Sequence, residues 1–140
     1  MKKSVIINII VVFLAALSMT ASADNLLKGK SGIQYKDLKT GDGAEAVPEK
    51  IVTVSLTIWA DAKGAKGKRF FDSHETGSGT ISFKLGTDKM PDGLNIGIEG
   101  MRVGGMRRLH IPRNLNPKDG SGKFPGNAAL IYEVELLEVK

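Results

Sequence analysis

The sequence predicts an α+β domain, several antiparallel strands around one short helix, and three observations carry that expectation. From Ile51 to Ala60, Val52, Val54, Leu56 and Ile58 alternate with Thr53, Ser55, Thr57 and Trp59, the period of two that sets one side chain set on a core face. Near the C-terminus Leu130, Tyr132, Val134 and Leu136 repeat the pattern on a final strand. Between them Leu94, Ile98 and Met101 fall at helical spacing in a segment opening at Pro91-Asp92, where proline suits a helix start. Strands flanking a single helical segment make an α+β arrangement.

The elements follow in order. Lys2 and Lys3, the apolar run Val5 to Leu17 and Ala21-Ser22-Ala23 have the charged, hydrophobic and small-residue order of a secretory signal, so residues 1 to 23 are expected to be removed before Asp24. A spanning helix needs roughly 20 apolar residues; this run is shorter and is interrupted by Asn8, and the chain has no cysteine to acylate. An exported product without stable membrane association is expected, most simply periplasmic. Residues 24 to 31, polar and rich in lysine, read as a flexible lead, and residues 32 to 140 as one domain. Gly32 to Leu38 reads as an edge strand ended by the turn cluster Gly41-Asp42-Gly43. After the strand at Ile51, Asp61 to Gly67 reads as a loop and Lys68 to Asp72 as the returning strand, a hairpin with a long basic tip. Ile81, Phe83 and Leu85 alternate before Gly86, and Arg107, Leu109 and Ile111 alternate with Met106, Arg108 and His110 up to Pro112.

Composition narrows the function classes. Of the formal charge of +5, Lys2 and Lys3 contribute two and the signal holds no acid, leaving 5 − 2 = +3, too mild to imply nucleic acid. Without cysteine there are no disulfides and no thiolate metal sites. His74 and His110 are the only histidines and have no second ligand at metal spacing, so no metal site is expected. Ser73 and His74 are adjacent and so point apart, which argues for a solvated loop over a nucleophile and its base. Lys63, Lys66, Lys68 and Arg69 likewise read as a solvated loop. Gly77 and Gly79 lack a phosphate-binding pattern. No cofactor chemistry emerges.

Taken together, Phe71-Asp72-Ser73, Phe83-Lys84-Leu85-Gly86, the run from Gly93 to Gly105, Arg107 to Pro112 and Asn127 to Leu137 resemble the FKBP-type peptidyl-prolyl cis-trans isomerases, in order and over about Gly32 to Lys140. The resemblance implies a twisted antiparallel β-sheet wrapped around one short α-helix. It implies rotation about the Xaa-Pro bond of proline-containing polypeptides, with no cofactor and no nucleophile. By the same resemblance Phe71, Asp72 and Tyr132 match catalytic pocket positions, Tyr132 as its floor, and Phe124 falls near an apolar wall. The other substrate-binding positions depart from the family pattern. Leu94 stands where a tryptophan is frequent, Leu56 where many members have tyrosine, and Ile81 where phenylalanine is usual. Met90-Pro91 replaces a Val-Ile pair, and proline has no N–H, so one ligand-holding donor is lost. Arg113-Asn114-Leu115-Asn116, leading to Pro117-Lys118, replaces a segment that ends in tyrosine and glycine, so a hydroxyl donor is lost too. The departures predict a weaker grip on substrate and more so on macrolides. They leave a second reading open, an FKBP-like peptide-binding or chaperone module with little isomerase activity. The long N-terminal helical extension of some exported relatives has no room here, so a monomer is expected.

Overall fold

Alternating burial builds the centre of the sheet. In β3 (Ile51–Ala62), Val52, Val54, Leu56 and Ile58 are all buried, and in β7 (Leu130–Val139) so are Leu130, Tyr132, Val134 and Leu136. The two strands pair antiparallel from Val52↔Val139 to Ala60↔Leu130, which sets both apolar rows on one face. The computed structural model describes residues 27–87, 90–115 and 128–140. The expected signal peptide, Phe124, Asn116 and Pro117-Lys118 lie outside those residues.

Among the described residues seven strands form one antiparallel sheet. The remaining strands are β1 (Leu27–Lys28), β2 (Gln34–Lys39), β4 (Ala65–Asp72), β5 (Ile81–Lys84) and β6 (Met106–Ile111). Their order is β1-β2-β6-β7-β3-β4, with β5 also on β3. Helix α1 (Asp92–Ile98) covers the apolar face, with Leu94 and Ile98 buried in the same cluster as Leu109 and Ile111 of β6. It can lie close because Gly93 and Gly97 face that strand: a Cβ on Gly93 would come within 2.7 Å of Ile111 Cγ2, and one on Gly97 would land inside the Leu109 side chain.

Four expectations are corrected. Part of the lead is structured, since Leu27 and Lys28 pair with Tyr35 and Gln34. The strand read as an edge therefore lies between β1 and β6. The hairpin tip is two residues long, because Lys63 and Gly64 both adopt positive φ, 56° and 91°, the pair of left-handed residues that joins twisted strands tightly. Asp61 Oδ1 accepts from Gly64 N at 2.6 Å and steadies that turn. Met101, read as helical, is buried beyond the end of α1, its N–H donating to Ile98 O at 2.9 Å.

Candidate functional site

Two strands share one edge of β3. β4 takes the half from Thr57 to Ala62 and β5 the half from Ile51 to Val54, which leaves Ser55 and Leu56 between them. Ser73 closes that gap. Its Oγ accepts from Leu56 N at 2.9 Å and donates to Gly79 O at 3.0 Å, and the residue is fully buried. Ser73 is therefore no solvated loop residue, as adjacency to His74 had suggested; it replaces a missing rung of the sheet.

The junction sets the apolar candidates side by side. Phe71 pairs with Ile58 and Ile58 with Tyr132, so the three share one face across β4, β3 and β7. Leu56, Leu94 and Tyr132 are buried in one apolar cluster, and Phe71, Ile81 and Met90 pack against it while staying partly accessible. Six of the nine nominated residues thus belong to one apolar cluster or pack against it. Pro91 is partly buried at the N-cap of α1, where its carbonyl accepts from Leu94 N at 3.0 Å. Sequence reading missed the residue that holds this end. Asn95, nearly buried, accepts from Gly86 N through Oδ1 at 2.9 Å and donates through Nδ2 to Thr87 O at 2.7 Å and Met90 O at 3.2 Å. An amide one place after Leu94 on an otherwise apolar helix was the available signal.

Asp72 is set apart from the apolar group. In register with Thr57, it occupies the alternate side of β4 from Phe71, at the point where the strand turns into a single 3-10 turn, Ser73–Glu75. Its Oδ1 accepts from His74 N at 2.9 Å and lies 2.8 Å from His74 Nδ1, while Arg69 Nη1 donates to Oδ2 at 3.3 Å. The bonds from the His74 backbone and ring, ahead of the Arg69 charge, hold its carboxyl below the usual carboxylate range. The Tyr132 hydroxyl differs. It is buried, has no hydrogen-bond partner among the described residues, and burial pushes its ionisation well above the ordinary phenol range.

The basic hairpin is also more than a solvated loop. Lys66 Nζ lies 4.2 Å from the centroid of Trp59 and 2.5 Å from Glu133 Oε1, and Arg69 Nη2 donates to Glu75 at 2.6 Å. Among the described residues no three His, Asp or Glu side chains gather as metal ligands.

Comparison with known proteins places these features in a family. The model of the FKBP-type peptidyl-prolyl cis-trans isomerases matches residues 43–137. An FK506-binding protein of Neisseria meningitidis serogroup B is 37% identical over 110 residues, 77% of this chain and 96% of its own length. FK506-binding protein 4 of Emericella nidulans is 38% identical over 115 residues, 81% of this chain, although the chain spans only 23% of that relative. The crystal structure of FkpA from Escherichia coli superposes with a TM-score of 0.71 at 27% identity, covering 91% of this chain and 57% of FkpA. With the sheet, the helix and the ordered motifs in agreement, the chain belongs to the FKBP-type peptidyl-prolyl cis-trans isomerase family.

Proposed function

We propose that the domain is an exported prolyl isomerase that speeds Xaa-Pro rotation in proline-containing polypeptides during their folding. The observation that carries the reading, in a chain of this family, is the shared apolar face of Phe71, Ile58 and Tyr132, with Leu94 and Ile81 in the same cluster. Peptide-bond rotation faces a barrier of about 18 to 20 kcal/mol because resonance stiffens the C–N bond. The twisted amide has lost that resonance and much of its charge separation, so it needs less solvation than the planar one. Apolar side chains around the prolyl ring therefore favour the twisted form, and each tenfold acceleration takes only about 1.4 kcal/mol. Partly accessible Phe71, Ile81 and Met90 form the walls a ring would meet, Tyr132 the floor, and ionised Asp72 a fixed charge at the rim. Export is supported by the charged, apolar and small-residue order of residues 1 to 23.

A second reading, a peptide-binding or chaperone module with little isomerase activity, is favoured by Pro91, which brings no N–H to the mouth of the site. Magnetisation-exchange NMR on a short Xaa-Pro peptide separates the two. Uncatalysed exchange takes tens to hundreds of seconds; the isomerase reading expects acceleration by about tenfold or more, reduced by about tenfold in Phe71→Ala. No acceleration from the folded protein, with any residue before proline, would leave the binding module.

A further inference from the structure

His74 fits neither the sheet nor the apolar face, yet it makes the two shortest contacts to Asp72. Its backbone N–H donates to Oδ1 at 2.9 Å and its ring Nδ1 lies 2.8 Å from the same oxygen. A carboxylate has no proton to offer, so the ring stands there as its Nδ1–H tautomer, with Nε2 turned elsewhere. Thr57 Oγ1 is the third group at Oδ1, at 3.5 Å. Oδ1 is thereby filled from the protein side. Among the described residues Oδ2 has a single partner, Arg69 Nη1 at 3.3 Å, and keeps acceptor capacity for an incoming group.

From these contacts we infer that His74 is a positioning residue for the isomerisation, a clamp that fixes the Asp72 carboxylate through Oδ1 and leaves Oδ2 to Arg69 and substrate. The inference rests on the isomerase reading, because it assigns the clamp to the acid at the rim of that site. Among the described residues the ion pairs at this turn join His74 to Asp72, and Arg69 of β4 to Asp72 and Glu75, while β3 adds the Thr57 hydroxyl at Asp72. Arg69 is divided between Asp72 and Glu75, so it does not neutralise Asp72 fully.

The test compares the wild type with His74→Ala and His74→Asn, because the asparagine amide nitrogen branches from Cγ as Nδ1 does and can donate to Oδ1. Exchange rates on an Xaa-Pro peptide are measured at neutral pH. His74→Ala should be slower than the wild type by about fivefold, the effect of one lost exposed hydrogen bond. His74→Asn should recover most of the wild-type rate. A readout independent of rate is the Asp72 carboxyl carbon in NMR titration: its midpoint should rise in His74→Ala and stay low in His74→Asn. An active wild type with His74→Ala unchanged in rate and in the Asp72 titration overturns the clamp alone. An inactive wild type overturns the isomerase reading and the inference with it.

Discussion

Leaving a polar group buried without a partner costs about 1 to 3 kcal/mol, and among the described residues the Tyr132 hydroxyl sits in that position on a residue only 1% exposed. Phenylalanine would keep the ring between its neighbours Ile58 and Leu109 and remove the oxygen alone. Tyr132→Phe is therefore expected to raise stability by about 1 kcal/mol, read as a higher midpoint in urea unfolding. A lower midpoint would mean that the hydroxyl has a partner in the folded chain. The same residue shows what a sequence reveals at this scale. An aromatic on a period of two is legible as a buried ring, but whether its hydroxyl is satisfied depends on distances across neighbouring elements. Asp72 follows the same rule. Its presence on β4 and its separation from the adjacent Phe71 were legible from the period of two, whereas its bond to the ring of His74 was set by the 3-10 turn at the strand end.

At seven residues α1 is too short to hold itself together, and tertiary contacts must supply its stability. Arg107 holds its C-terminal end, donating to Gly97 O at 3.1 Å and Glu99 O at 3.4 Å while paired with Asp37 at 2.6 Å and stacked 4.4 Å from the Tyr35 ring centroid. A cation on the last carbonyls of a helix is favourable in charge as well as in hydrogen bonding. Asn95 holds the other end by tying Gly86, Thr87 and Met90 to the helix. Asn95→Ala leaves the Gly86 N–H and two carbonyls without that partner, so stability should fall by about 2 kcal/mol, and the Met90 methyl resonance should broaden or shift. Unchanged stability with an unmoved Met90 signal would show that the loop is held by something else. The helix itself was legible from Leu94 and Ile98, but its end was placed too late at Met101, since a turn following a helix continues the same apolar spacing for one step. The two-residue hairpin was illegible for a different reason: lysine seldom takes positive φ, so Lys63 gives no sign of the turn it makes.

Across the described residues the helix covers one face of the sheet, and on the other charged side chains bind strands together. Arg108 of β6 donates to Glu133 of β7 at 3.0 Å, and Lys66 of β4 reaches over Trp59 of β3 to the same carboxylate. Glu133 thus joins all four consecutive strands of the order β6-β7-β3-β4, a link invisible in a sequence where its partners stand 25 and 67 positions away, 133 − 108 and 133 − 66. Burial alone would raise its ionisation, but the hydrogen bonds and charges of Lys66 and Arg108 outweigh burial and hold it below the usual glutamate range. A carboxyl depressed in the folded state stabilises the fold above its unfolded pKa, near 4.5, and loses that contribution as pH falls through the lower folded value. Glu133→Gln should therefore cost about 1 kcal/mol at neutral pH, a partly exposed pair being worth little more. The gap from wild type should narrow steadily in urea unfolding as pH drops from about 5 to about 3, because both chains then carry an uncharged group at this position. A gap that stays constant over that range would assign the contribution of Glu133 to packing and shape, and leave the four strands held by their backbone ladders and the apolar face alone.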